Sequence, residues 1–272
     1  MDTRDDHAEN LARMQAAADW LLLSVQCSGS GGSAAGYSPL TGWSKAYPET
    51  TGYIAETLVR YGRWTNETRY VDAGVRLADW LLEIQHPEGS FQAGLDVGRR
   101  RPPSTFNTAQ VIFGLLAAHS ATRQPKYLSA AEAAASWLVA TLGPDGLWRG
   151  FGYRRFDYSP VYYSRVAWPL LLVGRQSGDG RMRDAATRAL DAIVARQNSN
   201  GSFRDWGFRP SDARAFTHTI AYTIEGLLES ALLLEGPSGA YWQAGMRAAE
   251  ALFRRFEVRK RIAGMYDGNF KG

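Results

Sequence analysis

Cysteine is almost missing from this 272-residue chain: Cys27 stands alone, which excludes an intrachain disulfide and any site built from several thiolates. Histidine is scarce as well, at positions 7, 86, 119 and 218, and no pair has HExxH or other metal-ligand spacing. Neither a metal ion nor a cofactor is therefore expected. Gly29-Ser30-Gly31-Gly32 lacks the Lys-Ser/Thr that completes a phosphate loop. Lysine occurs only at 45, 126, 260 and 271, so arginine carries nearly all of the positive charge, and the net balance is only +4. No basic face interleaved with aromatics emerges, and nucleic acid is not an expected partner. Arg99-Arg100-Arg101 is a basic run, read as a solvated loop ahead of a contact to an acidic substrate. No uncharged apolar stretch reaches the roughly 18 residues of a membrane span. The opening Met1-Asp2-Thr3-Arg4-Asp5-Asp6 is too charged for a secretory leader. A cytoplasmic location is the expectation.

What the chain does have is a repeat. Trp20-Leu21, Trp80-Leu81, Trp137-Leu138 and Ile193-Val194 each lie in an apolar, helix-like stretch running into a glycine turn. The turns are Gly32-Ser33, Gly89-Ser90-Phe91, Gly146-Leu147-Trp148 and Gly201-Ser202-Phe203, with a fifth at Gly268-Asn269-Phe270. Successive turn glycines are 57, 57, 55 and 67 residues apart, the mark of a repeat architecture. Each unit reads as an outer helix, a turn whose glycine takes positive φ, a loop pinned by the turn aromatic, and a second helix. The second helices are predicted at Pro48 to Tyr61, Phe106 to Ser120, Tyr163 to Arg175 and Thr217 to Leu233. Their apolar residues run almost all the way round, as in Val111-Ile112-Phe113-Gly114-Leu115-Leu116, which predicts burial. Segment length and Ala-rich flanks favour helix over buried strand. The resulting fold class is all-α, an incomplete α/α toroid of five to six helix pairs forming one domain over residues 1–272.

Glu49, Asn107, Tyr163 and His218 lie 17, 18, 17 and 17 residues after their turn glycines, at equivalent positions atop four second helices. A purely structural repeat would tolerate one residue type there. Tyr53, Gln110 and Tyr222 follow at i+4, i+3 and i+4, on the same helix faces. Carboxylate, imidazole, phenols and amides converging on one cavity suit proton transfer. Each also has a plainer reading. Glu49 follows Pro48 in a first helical turn, Asn107 is a natural cap, His218 fits a core, and Tyr163 sits among aromatics. Arg165 at the start of an apolar helix requires a partner, which a ligand carboxylate would supply. Trp43, Tyr47, Trp148, Phe151, Tyr153 and Trp206 in the post-turn loops, with Asp96, Asp157 and Asp205, suit stacking on sugar rings and bonding their hydroxyls. They would equally line an isoprenoid pocket.

Gln85-His86-Pro87-Glu88-Gly89-Ser90-Phe91 and Gln197-Asn198-Ser199-Asn200-Gly201-Ser202-Phe203 resemble the Gln-to-Gly-x-Trp motifs of squalene-cyclase and prenyltransferase α/α barrels. The cyclase Asp-x-Asp-Asp and the prenyltransferase zinc ligands are absent. Tyr47-Pro48-Glu49-Thr50-Thr51-Gly52-Tyr53, Phe106-Asn107-Thr108-Ala109-Gln110 and Thr217-His218-Thr219-Ile220-Ala221-Tyr222 resemble a group of bacterial α/α-toroid proteins of polysaccharide and glycoconjugate clusters. Those are similar in architecture to uronate C5-epimerases, polysaccharide lyases and α/α-barrel glycosidases. The resemblance implies a sugar or polysaccharide substrate, most readily one with a carboxylate. Arg165 would then neutralise that carboxylate, Asn107 or Gln110 would support the enolate, and His218 with Tyr53, Tyr163 or Tyr222 would move protons. Hydrolysis by Glu49 with Asp96, Asp157 or Asp205 is the nearest alternative. A terpene-cyclase-like enzyme and a non-catalytic glycan binder stand behind it. Members of that group continue past the fifth turn, so a ring ending at Gly272 is expected open, with a homodimer covering its apolar edge.

Overall fold

In a computed structural model, which describes residues 3–96, 101–152 and 158–272, nine α-helices alternate with turns and short strand pairs. In chain order they are α1 (Thr3–Cys27), α2 (Pro48–Thr65), α3 (Thr68–Ile84), α4 (Thr105–Thr122), α5 (Pro125–Thr141), α6 (Ser164–Ser177), α7 (Gly180–Val194), α8 (Thr217–Leu234) and α9 (Ala240–Arg259). Even-numbered helices are the predicted second helices, each starting within a residue of its expected position. No described helix is long and apolar enough to cross a membrane. The chain divides into two compact units, Met1–Pro103 with Gln110–Ala134, and Ser104–Ala109 with Ala135–Gly272.

In the first unit α1, α2 and α3 close a core of Ala18, Ala55, Leu58, Tyr70, Ala73 and Leu77, backed by Leu21, Leu22 and Val25. Gly52 lets α2 touch α4, because a Cβ there would lie 2.4 Å from the Gln110 carbonyl oxygen. A short hairpin, β1 (Tyr37–Ser38) against β2 (Gly42–Trp43), follows the first turn. In the second unit α6 packs on α7 and α8, and α8 on α9. There β3 (Arg214–Phe216) pairs antiparallel with β4 (Met265–Asp267) just ahead of α8.

Burial of the second helices follows the pattern unevenly. Residues 104–116, at the start of α4, are buried without a break, as their continuous apolar run predicts. Helix α8, by contrast, buries Thr219, Ile220, Thr223, Gly226, Leu227, Ser230 and Ala231 and leaves His218 and Leu232 exposed. In the same unit it packs on α6, α9, β3 and residues 161–163, and Tyr222 stacks on Phe106 of α4 at 5.6 Å.

The repeat motif has a physical purpose in each turn. Gly89, Gly146 and Gly201 take φ of +96°, +77° and +89°, and each presses on the backbone of the next odd-numbered helix. A Cβ would sit 2.4 Å from the Ala133 oxygen, 2.3 Å from that of Arg188 and 2.6 Å from that of Arg247. The motif glutamine fastens the same contact. Gln85 Nε2 donates to the carbonyls of Gly89 and Ala130, both at 2.9 Å, and Gln197 Nε2 to those of Gly201 (3.3 Å) and Ala244 (2.8 Å). The first turn departs from expectation: Gly31, not Gly32, has positive φ, while Gly32 makes room for the Trp80 ring, 2.5 Å from its would-be Cβ. The turn aromatics Phe91, Trp148, Phe203 and Phe270 are all buried. Gln197→Ala strips both carbonyls of their donor and Arg247 of its acceptor. It should cost about 2 kcal/mol in urea unfolding, and an unchanged midpoint would refute the clamp.

Candidate functional site

Glu49, Tyr53, Gln110 and Trp43 belong to the first unit. Glu49 stands in the first turn of α2, where the backbone N–H groups favour a carboxylate. Its Oε2 accepts the Tyr47 hydroxyl at 2.6 Å and its Oε1 that of Tyr53 at 3.2 Å. The i+4 spacing thus brings Tyr53 onto Glu49 as expected, and Tyr47 joins from the preceding loop. Gln110 is fully buried at the crossing of α4 with α2. Trp43 is half-buried, its ring 4.7 Å from that of Trp20 and 5.2 Å from that of Tyr37. Asp96 N–H donates to the Ala46 carbonyl at 2.8 Å.

His218, Tyr222, Arg165, Tyr163, Asn107, Trp148 and Trp206 belong to the second unit. The exposed His218 ring lies among aromatics, 5.7 Å from Phe208, 5.5 Å from Phe216 and 5.8 Å from Tyr222. It makes no hydrogen bond to another described residue, and the core position open to it in the sequence is not the one it takes. Partial burial against these rings lowers its pKa from the ordinary value, leaving a neutral imidazole with a free lone pair near neutral pH. Tyr222 is shared between His218 and Arg165, whose guanidinium carbon sits 4.8 Å above the phenol ring and 5.6 Å from Trp168. The partner Arg165 required turns out to be in the chain: it forms an ion pair with Glu225. Glu225 escaped the sequence reading, although His218, Tyr222 and Glu225 at i, i+4 and i+7 form one stripe of α8.

Several expectations are corrected by burial. Tyr163 closes a 3-10 turn, Val161–Tyr163, rather than opening α6. It is 2% exposed, packed by Phe106, Trp148 and Tyr162, and burial pushes its phenol pKa well up. Such a group cannot reach substrate or lose its proton near neutrality without the surrounding aromatics moving. Trp148 is 1% exposed, with its indole N–H given to the Leu138 carbonyl at 2.8 Å. Trp206 is buried edge-on against Phe270 at 5.4 Å. Both were expected on an accessible rim, but as large apolar groups beside the turns they fill the core instead. Asn107 is 3% exposed and does not cap α4. Ser104 does, its hydroxyl oxygen accepting the Asn107 N–H at 3.3 Å while donating to Asn107 Oδ1 at 3.2 Å. Asp205 takes a left-handed φ of +60° and lies 3.7 Å from the Arg196 guanidinium. Asp157, Tyr153, Arg99 and Arg100 lie outside the described residues.

The His218 group can therefore remove a proton with a neutral imidazole, offer a phenol on the same helix face, and set the Arg165 guanidinium, paired with Glu225, beside that phenol. The Glu49 group offers a carboxylate held between two phenols.

No family model and no curated protein matches the chain. Solved structures do. An unsaturated glucuronyl hydrolase specific for heparin aligns over 89% of this chain and 66% of its own, with TM-score 0.71 and 14% identity. Cellobiose 2-epimerase from Spirochaeta thermophila aligns over 92% and 70%, with TM-score 0.71 and 12% identity. A GH76 α-mannanase from Bacteroides thetaiotaomicron aligns over 82% and 65%, with TM-score 0.61 and 16% identity. The chain spans about two thirds of the length of these structures. What it has in common with them is the fold, an α/α toroid.

Proposed function

We propose that this chain belongs to an enzyme acting on a sugar or polysaccharide, of uronate type, by removing a proton from carbon. The observation that carries this reading is the His218 group: an accessible imidazole with lowered pKa, walled by Phe208 and Phe216 and sharing Tyr222 with the Arg165–Glu225 pair. Support also comes from the fold neighbours, which are named for glucuronyl, cellobiose and mannose chemistry. One fold hosts many chemistries, so the residues bear the argument.

His218 takes the proton from the carbon next to the substrate carboxylate, and the C–H electron pair moves into the carboxylate as an enolate. Arg165 lowers the energy of that charge, and Asn107 needs a side-chain rearrangement to assist, since it is buried. For epimerisation the Tyr222 hydroxyl returns a proton to the opposite face. For elimination the enolate pair forms the C4–C5 double bond and expels the 4-linked oxygen, which takes up a proton.

The test is incubation with uronate-containing and neutral oligosaccharides in deuterated water, followed by NMR and by the absorbance of unsaturated uronates. Deuterium at C5 or an unsaturated product is the expected result. The rate should need neutral His218, so its acid limb should fall below the ordinary imidazole pKa of about 6.5. The absence of both exchange and elimination on every glycan would overturn the reading. Hydrolysis is favoured over it only by the Glu49 carboxylate between Tyr47 and Tyr53, and cleavage to saturated products without deuterium at C5 would select it.

A further inference from the structure

At the end of α9 the chain builds a basic cavity that the proton-transfer reading does not use. Arg255, Arg259, Arg261 and Lys271 line a cavity of about 540 Å³ floored by Tyr266 and Phe270, with Ile262 and Ala263 in its wall. Arg255 and Arg259 lie four residues apart on one face of α9, a spacing at which like charges repel. Lys271 arrives from the segment after β4, and that segment is fixed. Asp267 accepts the backbone N–H groups of Asn269 (2.8 Å) and Lys271 (2.9 Å), and Arg255 donates to the Asn269 carbonyl at 3.0 Å. The Tyr266 hydroxyl accepts the Ala263 N–H at 2.9 Å, which shapes the wall.

None of the four cations forms an ion pair with a described carboxylate. The adjacent Arg254, by contrast, reaches Glu250 at 3.7 Å. Asp267, the acid in the same loop, is already engaged: its two backbone N–H bonds are what hold its pKa below the ordinary carboxylate value, with Lys271 contributing less. Asp267 acts on Lys271, but Arg255, Arg259 and Arg261 have no ion pair among the described residues, and cations brought together from two segments lower their mutual repulsion by taking an anion. The cavity also adjoins the start of α8. Gly264 accepts the Thr217 N–H at 3.0 Å and Ala263 its hydroxyl, and Thr217 immediately precedes His218.

We propose that this cavity is an anion subsite for a glycan several sugars long, engaging a carboxylate or sulfate on a sugar away from the reacting one. The proposal rests on the sugar reading above and narrows it to polyanionic glycans. Arginine forks suit either oxyanion, while the buried Tyr266 and Phe270 hold the cavity's shape beneath them.

Calorimetric titration with a heparin-derived hexasaccharide, a polygalacturonate oligomer, a neutral cello-oligosaccharide and single-stranded DNA of matched charge tests it. Both acidic glycans should bind, more weakly as salt rises, while the neutral one should not. The double variant Arg259→Gln/Arg261→Gln, with Lys271→Gln as a second variant, should bind them about tenfold more weakly at unchanged Tm. Unchanged affinity in both variants would overturn the subsite, and so would equal binding of DNA with the same variant dependence. His218→Ala should retain wild-type binding, which keeps the two ideas apart. Deuterium exchange without variant-sensitive binding sinks the subsite alone, whereas variant-sensitive binding without exchange sinks the proton-transfer mechanism alone.

Discussion

Replacement of His218 by Ala is expected to reduce deuterium incorporation or elimination about a thousandfold while leaving the unfolding transition in place. The side chain is exposed and hydrogen-bonded to no described residue, and its ring contacts are with Phe208, Phe216 and Tyr222. Its removal therefore takes little from the core. A structural histidine would behave in the opposite way, with lower stability and retained turnover. Glu225→Gln gives a complementary reading. It frees Arg165 from its carboxylate, so a guanidinium that binds the substrate carboxylate should do so with lower KM and altered kcat. Full activity in His218→Ala would remove the imidazole from the mechanism and move attention to Glu49.

Gly226→Ala is expected to be among the most damaging single methyl groups in the second unit. A Cβ at this point of α8 would lie 2.4 Å from the Arg165 nitrogen, 2.4 Å from the Ser164 carbonyl carbon and 2.5 Å from the Ser164 hydroxyl oxygen. Backbone atoms cannot rotate aside, so the helices must part. Ser164 would then lose the bonds its hydroxyl donates to the Tyr222 and Thr223 carbonyls, at 3.3 and 3.0 Å. A cost of about 3 kcal/mol, or a Tm lower by roughly 10 °C, is the expected size. Gly180→Ala is the matched control: it is also a helical glycine, and nothing lies within 4 Å of its Cβ position. It should leave stability unchanged or slightly raised. Equal losses in the two variants would show that helix propensity rather than the α6–α8 contact sets the effect.

The repeat was legible because its signals are local. A positive-φ glycine and a following aromatic, with a glutamine four residues ahead of Gly89 and Gly201 and Leu142 ahead of Gly146, are each visible in seven consecutive residues, and the three glycines behave accordingly. The starts of α2 and α8 were legible for the same reason. Exposure was not. Trp148 and Trp43 look alike in sequence, yet one donates its N–H to Leu138 in the core while the other lies against Trp20 and Tyr37, themselves half exposed. That difference is decided by residues distant in the chain. Arg165 was correctly seen to need a partner, but Glu225 lies 60 residues away on another helix, and no short-range spacing announces it. Ser104 rather than Asn107 as the cap of α4 is a three-residue distinction that propensity alone does not make.

Each of the first four turns rests on a helix that does not belong to its own hairpin. Gly89 and Gln85 lean on α5, and Gly201 and Gln197 lean on α9, one element beyond the helix they lead into. The smallest piece able to hold its turn is therefore an overlapping span of three helices. Duplication or excision of a bare helix pair would leave a glycine turn with nothing to press against, so such chains should grow and shrink in evolution only by exchanges that preserve the overlap. By the same geometry, substitutions on the outer helix α9 should reach the loop that leads to His218 without touching either, making a remote surface a place where specificity can drift.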